Sequence, residues 1–136
     1  MGRRRQAREN ALHALYLAEC GLREESAFAA ACRGVDDDKT LEFARRLFDG
    51  ALRERDELDR RIGEVAKNWD VARMAAVDRN VLRLASYELI RCPETPPGVI
   101  INEAIEIVKK FSTEDSSRFI NGILDKIKDG RTPAPP

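Results

Sequence analysis

Four arginines lie close together at the start of the chain. Arg3, Arg4, Arg5 and Arg8 all precede the first acidic residue, Glu9. If a helix begins near Arg3, cations in its first turn oppose the helix dipole at a cost of roughly 0.3–1 kcal/mol each. A bound anion removes that conflict, because guanidinium groups and the free N–H groups of a helix start both bind phosphate. The cluster therefore predicts a phosphate-binding surface, with fraying of the chain start into solvent as the alternative.

Any attraction of this chain to nucleic acid must be local. The chain has 24 basic and 24 acidic residues and a formal net charge of zero, so no overall field draws it to a polyanion. If each of the four arginines neutralises one phosphate of a single strand, the salt slope of binding should be about −3. Selectivity requires stacking or contacts to base edges, for which Tyr16 and Phe119 are candidates, although aromatic residues at helical spacing often pack in the core.

Residues that usually carry catalysis or bind metals are sparse. His13 is the only histidine, and the three cysteines, Cys20, Cys32 and Cys92, are widely spaced and form no C-x-x-C pair. No glycine-rich phosphate loop, G-x-S-x-G or H-E-x-x-H motif occurs. The sequence therefore predicts a protein that binds without catalysis and uses no metal or other cofactor. The cysteines are typical of reduced thiols in the cytoplasm.

Apolar residues recur at three- and four-residue spacing along most of the chain, which predicts an all-α fold with no sheet. We expect a single domain over residues 1–130 and a disordered proline-rich tail over 131–136. The first two predicted helices cover residues 3–20 and about 25–32, and Gly34 ends the second. An apolar seam from Ala44 to Trp69 follows, formed by one long helix or two consecutive ones and capped by Asp36–Asp38. The remaining helices run from Met74 to about Ile90, over Pro97–Phe111 with Glu106 pairing Lys110, and from a capping box of Ser112 and Asp115 to near Gly130.

Several segments closely resemble the NusB family of bacterial transcription antitermination factors. They are RRRQARENALHALY at 3–16, Trp69, VDRNVLRLASYEL at 77–89, INEAIEIVKKF at 101–111 and EDSSRFINGILDKI at 114–127. The resemblance implies about seven helices in two subbundles. It also implies binding to the boxA element of single-stranded nascent RNA together with NusE, a small-subunit ribosomal protein. With other Nus factors and RNA polymerase, such proteins promote processive transcription of ribosomal RNA operons.

The resemblance also implies where the contacts lie. The arginine-rich start maps onto Arg3, Arg4, Arg5 and Arg8, and a second part of the RNA surface maps onto Asp115, Arg118 and Phe119. Because Asp115 repels phosphate, we expect it to cap and orient the last helix. The partner surface maps onto Tyr16, Glu19, Asp78, Leu82 and Glu88, with core packing an equal alternative for Leu82. Two departures from the family pattern, Ser112 and His13, leave the resemblance intact.

Three other interpretations remain open at this stage. One is an RNA-binding module related to ribosomal RNA cytosine methyltransferases and acting in ribosomal RNA biogenesis; the chain ends at Pro136 without a catalytic domain, so methyl transfer is not expected. Another is a membrane-surface protein using a basic first helix, whose alanine-rich stripe is a weak anchor. The third is a structural helical adaptor without RNA affinity. NusB-like proteins occur as monomers and as homodimers, and the sequence favours neither state.

Overall fold

A computed structural model describes residues 2–67 and 69–130, where seven α-helices and one short 3₁₀ helix account for the regular structure and no strand is present. The fold class predicted from apolar spacing is therefore confirmed. The predicted tail at 131–136 lies outside the described residues. The helices are α1 (Arg3–Glu19), α2 (Glu24–Ala31), α3 (Asp38–Arg53), α4 (Arg55–Val65), the 3₁₀ helix (Val71–Arg73), α5 (Ala76–Arg91), α6 (Pro97–Phe111) and α7 (Glu114–Asp129).

The helix boundaries follow the local signals in the sequence. Gly21 and Gly34, which follow α1 and α2, have φ of 106° and 84°, a left-handed conformation that glycine adopts at little cost. Asp37 caps α3, where its Oδ2 accepts a hydrogen bond from the Thr40 backbone N–H at 2.9 Å. Pro97 occupies the first turn of α6, as expected for a residue without a backbone donor.

Two boundary predictions need correction. The long periodic stretch consists of two helices that meet at Glu54, and its last apolar residue, Trp69, lies beyond α4 with 61% of its surface exposed. The cap of α7 is Thr113, whose hydroxyl accepts from the Ser116 N–H at 3.1 Å, so no capping box of Ser112 and Asp115 forms. The Thr113 hydroxyl thus does the capping that the sequence analysis placed one residue earlier.

One predicted pairing is also replaced. Lys110 was expected to pair with Glu106 along α6, but its Nζ lies 3.0 Å from Glu9 Oε1 on α1. The tertiary partner is a carboxylate that is only 17% exposed, which makes it a better site for the cation than an exposed face. This contact is one of several that tie α1 to α6.

The helices pack as two subbundles. In one, α1 lies against α2 and α3; in the other, α4, α6 and α7 surround α5, which also packs on α1 and α3 and so joins the halves. The α3–α5 crossing is close because Gly50 faces the ring of Tyr87, and a Cβ there would overlap that ring. The continuous core includes Leu47, Phe48, Leu82 and Leu124, each with no exposed surface.

No helix among the described residues combines the length and apolar character needed to cross a membrane. The same residues contain no group of three or more histidine, cysteine or acidic side chains placed to hold a metal ion. Cys32 and Cys92 are buried cysteines, and Cys20 is an exposed one.

Candidate nucleic-acid interface

The start of α1 exposes two of the four clustered arginines. Gly2 is the N-cap and offers no side-chain acceptor, and the first turn contains no acidic residue. Arg3 and Arg4 are exposed there, with Arg3 Nε 3.4 Å from Asp37 Oδ2 and the Arg4 guanidinium stacked 4.0 Å from the centre of the Phe43 ring. The hydroxyl of Thr40 holds the pKa of Asp37 below its usual range, with Arg3 contributing in the same direction. An anion can approach this end of α1.

Arg8, the fourth arginine of the predicted set, does not belong to that exposed group. Its side chain is 7% exposed and forms two hydrogen bonds with Glu88 on α5, at 2.7 and 2.8 Å. The cause is helical periodicity, since Arg8 lies on the same face of α1 as Leu12 and Leu15, which are buried. An arginine held in this way cannot reach a phosphate without breaking a buried ion pair.

Arg5 is intermediate between these cases. Its Nε and Nη2 donate to the carboxylate of Glu103 on α6 at 2.8 and 2.6 Å, and its side chain is 27% exposed. The hydrogen bonds raise the pKa of Arg5 and hold the pKa of Glu103 below its usual range. Arg5 therefore ties α1 to α6, and most of its donors already face an acceptor.

The start of α7 carries the second predicted set. Arg118 Nη2 donates to Asp115 Oδ1 at 2.7 Å in a pair whose side chains are 76% and 92% exposed. Phe119 is partly buried and lies edge to face with Trp69 at 5.3 Å between ring centres. We name Trp69, Asp115, Arg118 and Phe119 the α7 patch. It borders a hollow of about 380 Å³ into which Lys67 also faces.

Trp69 is not among the predicted site residues, although it is one of the residues in which the sequence resembles the family. Its placement at the end of an apolar seam suggested a buried residue, whereas the chain leaves α4 before reaching it. Exposed tryptophan beside arginine and lysine is suited to base stacking. The signal that could have found it is the polar sequence Lys67-Asn68 directly before it, which interrupts the apolar spacing.

The predicted partner residues divide by burial. Tyr16 is 44% exposed, and Glu19 is partly exposed while accepting hydrogen bonds from Arg79 at 2.7 Å and Asn80 at 2.9 Å. The other three are buried: Leu82 is fully buried, and Asp78 and Glu88 are 8% and 2% exposed. Leu82 packs in the core, the alternative weighed for it from the sequence.

Asp78 and Glu88 are held by internal partners. Ser116 Oγ, at the start of α7, donates to Asp78 Oδ2 at 2.8 Å, and Glu88 binds Arg8 as described. Oδ1 of Asp78 is buried and has no hydrogen-bond partner among the described residues. These carboxylates position α5 against its neighbours and do not present charge to a partner protein.

A groove runs along α1. The helix is about 25 Å long from its 1.5 Å rise per residue, with Arg3 and Arg4 at one end. The C-terminal half lies near the start of α5, where Glu19 binds Asn80, and Ser116 of α7 binds Asp78 in the same part of α5. The groove has a volume of about 490 Å³ and is lined by Gln6, Glu9, Asn10, Leu12, His13, Tyr16, Ala31, Val77 and Phe111.

These features define a class of protein: a small helical protein of two packed subbundles, with cations at one uncapped helix start and an exposed aromatic and basic patch at the start of another helix. The chain belongs to the NusB family, whose family model matches residues 5–129.

Individual relatives agree over nearly the full length. The transcription antitermination protein NusB of Elusimicrobium minutum is 48% identical over 135 residues, which is 96% of each chain. That of Geotalea daltonii is 44% identical over 140 residues, covering 93% of this chain and 94% of the relative. The family assigned by resemblance is thus confirmed.

Solved structures agree with the fold. T. maritima NusB superposes with a TM-score of 0.89 at 38% identity, covering 98% of this chain and 94% of that one. A chain in the crystal structure of antitermination factors NusB and NusE in complex with dsRNA superposes with a TM-score of 0.87 at 30% identity, covering 96% and 98%. The two-subbundle arrangement expected from the family is confirmed.

Proposed function

We propose that this protein is a transcription antitermination factor that binds boxA-containing RNA together with NusE. In that role it promotes processive transcription of ribosomal RNA operons by RNA polymerase with other Nus factors. Two findings support the proposal: the relatives are named transcription antitermination proteins, and a chain of similar structure forms a complex with NusE and dsRNA. The observation in this chain that carries it is the exposure of Arg3 and Arg4 at an uncapped helix start.

The two ends of the interface have different tasks in this proposal. Arg3 and Arg4 supply affinity for phosphate, which is insensitive to base sequence. Trp69 and Phe119 offer ring faces and edges on which unstacked bases can lie, and Asp115 holds the Arg118 guanidinium in place. Selectivity for boxA therefore comes from the α7 patch and from NusE.

The contact with NusE is proposed to involve Tyr16 and Glu19, the two exposed members of the predicted partner set. Asp78, Leu82 and Glu88 are buried and are left out of the proposed contact. A basic ribosomal protein suits a carboxylate that remains partly exposed. The protein acts by binding and not by catalysis, and its place of action is the bacterial cytoplasm, where transcripts are made.

The test is binding to a short boxA-containing single strand, compared with a scrambled strand and a duplex of the same sequence, with and without NusE. We expect the boxA strand to bind more tightly than the scrambled strand, and NusE to increase the difference. Equal affinity for the boxA and scrambled strands in the presence of NusE would contradict specific recognition. Stronger binding to the duplex would contradict the single-strand assignment.

A further inference from the structure

A basic hollow lies between the start of α1 and the outer face of α3. It has a volume of about 550 Å³ and is lined by Gly2, Arg3, Arg4, Lys39, Glu42, Phe43 and Arg46. We propose that this hollow, named here the α3 hollow, is a binding site for one RNA phosphate, in which Lys39 joins Arg4 on the same anion. The inference rests on the proposed RNA binding and extends the interface from α1 onto α3, a helix that neither the sequence motifs nor the predicted site residues include.

The charges around the α3 hollow separate into satisfied and available groups. Arg3 lies against Asp37 at 3.4 Å, and Arg46 donates to Glu94 at 2.7 Å. Within residues 2–67 and 69–130, neither Arg4 nor Lys39 has a carboxylate within 4.0 Å. Two cations from different helices therefore face one hollow, and neither forms an ion pair within 4.0 Å among the described residues.

The Arg4 side chain is already oriented for an anion. One face of its guanidinium lies on the Phe43 ring, 4.0 Å from the ring centre, and Phe43 is only 7% exposed and fixed in the core. Stacking occupies the face of the guanidinium but leaves its N–H edge free, and that edge matches phosphate geometry. Because the side chain is held before binding, little conformational entropy is lost when the anion arrives.

Backbone donors add to the same site. The N-cap Gly2 has no side chain to accept from the first turn of α1, and the first backbone hydrogen bond there runs from Gln6 N–H to Gly2 O. The N–H groups of Arg3 and Arg4 are thus left for an external acceptor, at the positive end of a 17-residue helix. In the proposal, these two N–H groups and the side chains of Arg4 and Lys39 are the donors to one phosphate.

The nature of the rim favours a nucleic-acid phosphate as the ligand. Glu42 lines the α3 hollow, and Asp37 and Glu94 pair with its lining residues Arg3 and Arg46, so an acidic protein with a broad negative surface meets repulsion there. A single strand can place one phosphate in the hollow and turn its bases away. The hollow is also continuous with the α1 start, because Arg3 and Arg4 belong to both.

The test compares Lys39→Gln with a matched control, Lys128→Gln, near the far end of α7 where Lys128 lies 3.4 Å from Asp125. Binding of a labelled boxA-containing single strand is measured by anisotropy over a salt series, and thermal unfolding checks that both variants fold. Because Arg4 still faces the shared phosphate, Lys39→Gln is expected to make the salt slope shallower by less than about 0.7 and to weaken binding by up to about fivefold near 0.1 M salt. Lys128→Gln should match the wild type.

A double variant tests whether both cations hold one phosphate. If they do, adding Lys39→Gln to Arg4→Gln weakens binding by less than the product of the single effects. A wild-type salt slope in Lys39→Gln, with RNA binding of the wild type intact, would overturn the α3 hollow and leave the proposed function standing. Full multiplicativity of the two changes would overturn the shared phosphate.

Failure of the proposed function itself gives a different result, since the wild type would then bind no RNA at all. In that event a titration with inorganic phosphate, followed by backbone amide NMR shifts, examines the α3 hollow alone. Shifts at Arg4 and Lys39 that are absent in Lys39→Gln would support an anion site. Unchanged amides at both residues would overturn it.

Discussion

Replacing Arg8 separates the structural arginine of the cluster from those available to RNA. The Arg8 and Glu88 side chains are 7% and 2% exposed and are joined by two hydrogen bonds. Arg8→Met leaves a buried carboxylate without its bidentate partner, a loss that costs about 3–5 kcal/mol. Since domains of this size are stable by about 5–15 kcal/mol, the variant is expected to fold with a much reduced margin.

Urea unfolding measures this loss. With a denaturant slope of about 2 kcal/mol per M, the midpoint should fall by about 1.5–2.5 M. The matched control is the double change Arg8→Met with Glu88→Leu, which replaces the buried pair by apolar groups. It is expected to recover most of the stability, because the cost comes mainly from the unpaired charge and not from loss of the pair as such.

RNA binding then distinguishes the two halves of the cluster. Measured at a temperature where Arg8→Met is folded, its salt slope should equal that of the wild type. Arg4→Gln should make the slope shallower by about 0.7 with little effect on unfolding. Near-wild-type stability of Arg8→Met combined with a shallower slope would refute the reasoning, since it would show Arg8 on phosphate and not on Glu88.

Three further outcomes follow from packing, exposure and burial. Gly50→Ala places a Cβ against the ring of Tyr87 and should cost about 1–3 kcal/mol in urea unfolding; unchanged stability would show that the α3–α5 crossing can relax. Trp69 is the only tryptophan in the sequence, so RNA binding should quench the tryptophan fluorescence, and Trp69→Ala should weaken RNA affinity by about 1–3 kcal/mol. Unchanged fluorescence and unchanged affinity would place base stacking elsewhere. Burial raises the pKa of the Cys92 thiol to about 11. At pH 8, iodoacetamide should therefore label Cys20 and should not label Cys92 until the protein unfolds. Equal labelling of Cys20 and Cys92 in the native protein would contradict the burial of Cys92. Because folding favours the neutral thiol, the stability linked to Cys92 is present below its unfolded pKa of about 9 and is lost as pH rises toward 11.

Helices were predictable here because their signals are local. Apolar spacing, Asp37 as a cap and Pro97 at a helix start each depend on residues within about four positions. Trp69 departed from its prediction because α4 ends at Val65, and spacing alone does not show where a helix stops. The cap of α7 differed by one residue because Thr113 and Ser112 both carry a hydroxyl, and only backbone geometry selects between them.

The candidate site was less predictable because its pairs are distant in sequence. Arg8 and Glu88 are 80 positions apart, and Arg5 and Glu103 are 98 apart. From the sequence alone, each of these four side chains is expected to be an exposed charge. A partial signal existed, since Arg8 precedes Leu12 and Leu15 at buried spacing, but the identity of its partner requires the packed fold.

The conflict between arginines and the helix dipole, which first suggested an anion, has two resolutions within one helix. Arg5 pairs with Glu103 and Arg8 pairs with Glu88, so both cations already have an anion within the protein. These two pairs hold α1 against α6 and α5. Arg5 and Arg8 therefore need no RNA to offset the helix dipole. Arg4 has an aromatic ring on one face and forms no ion pair within 4.0 Å among the described residues, so an external anion can bind it. A phosphate held there would be positioned by a helix that buried ion pairs keep rigid, so its distance from the α7 patch is set by the fold before RNA arrives.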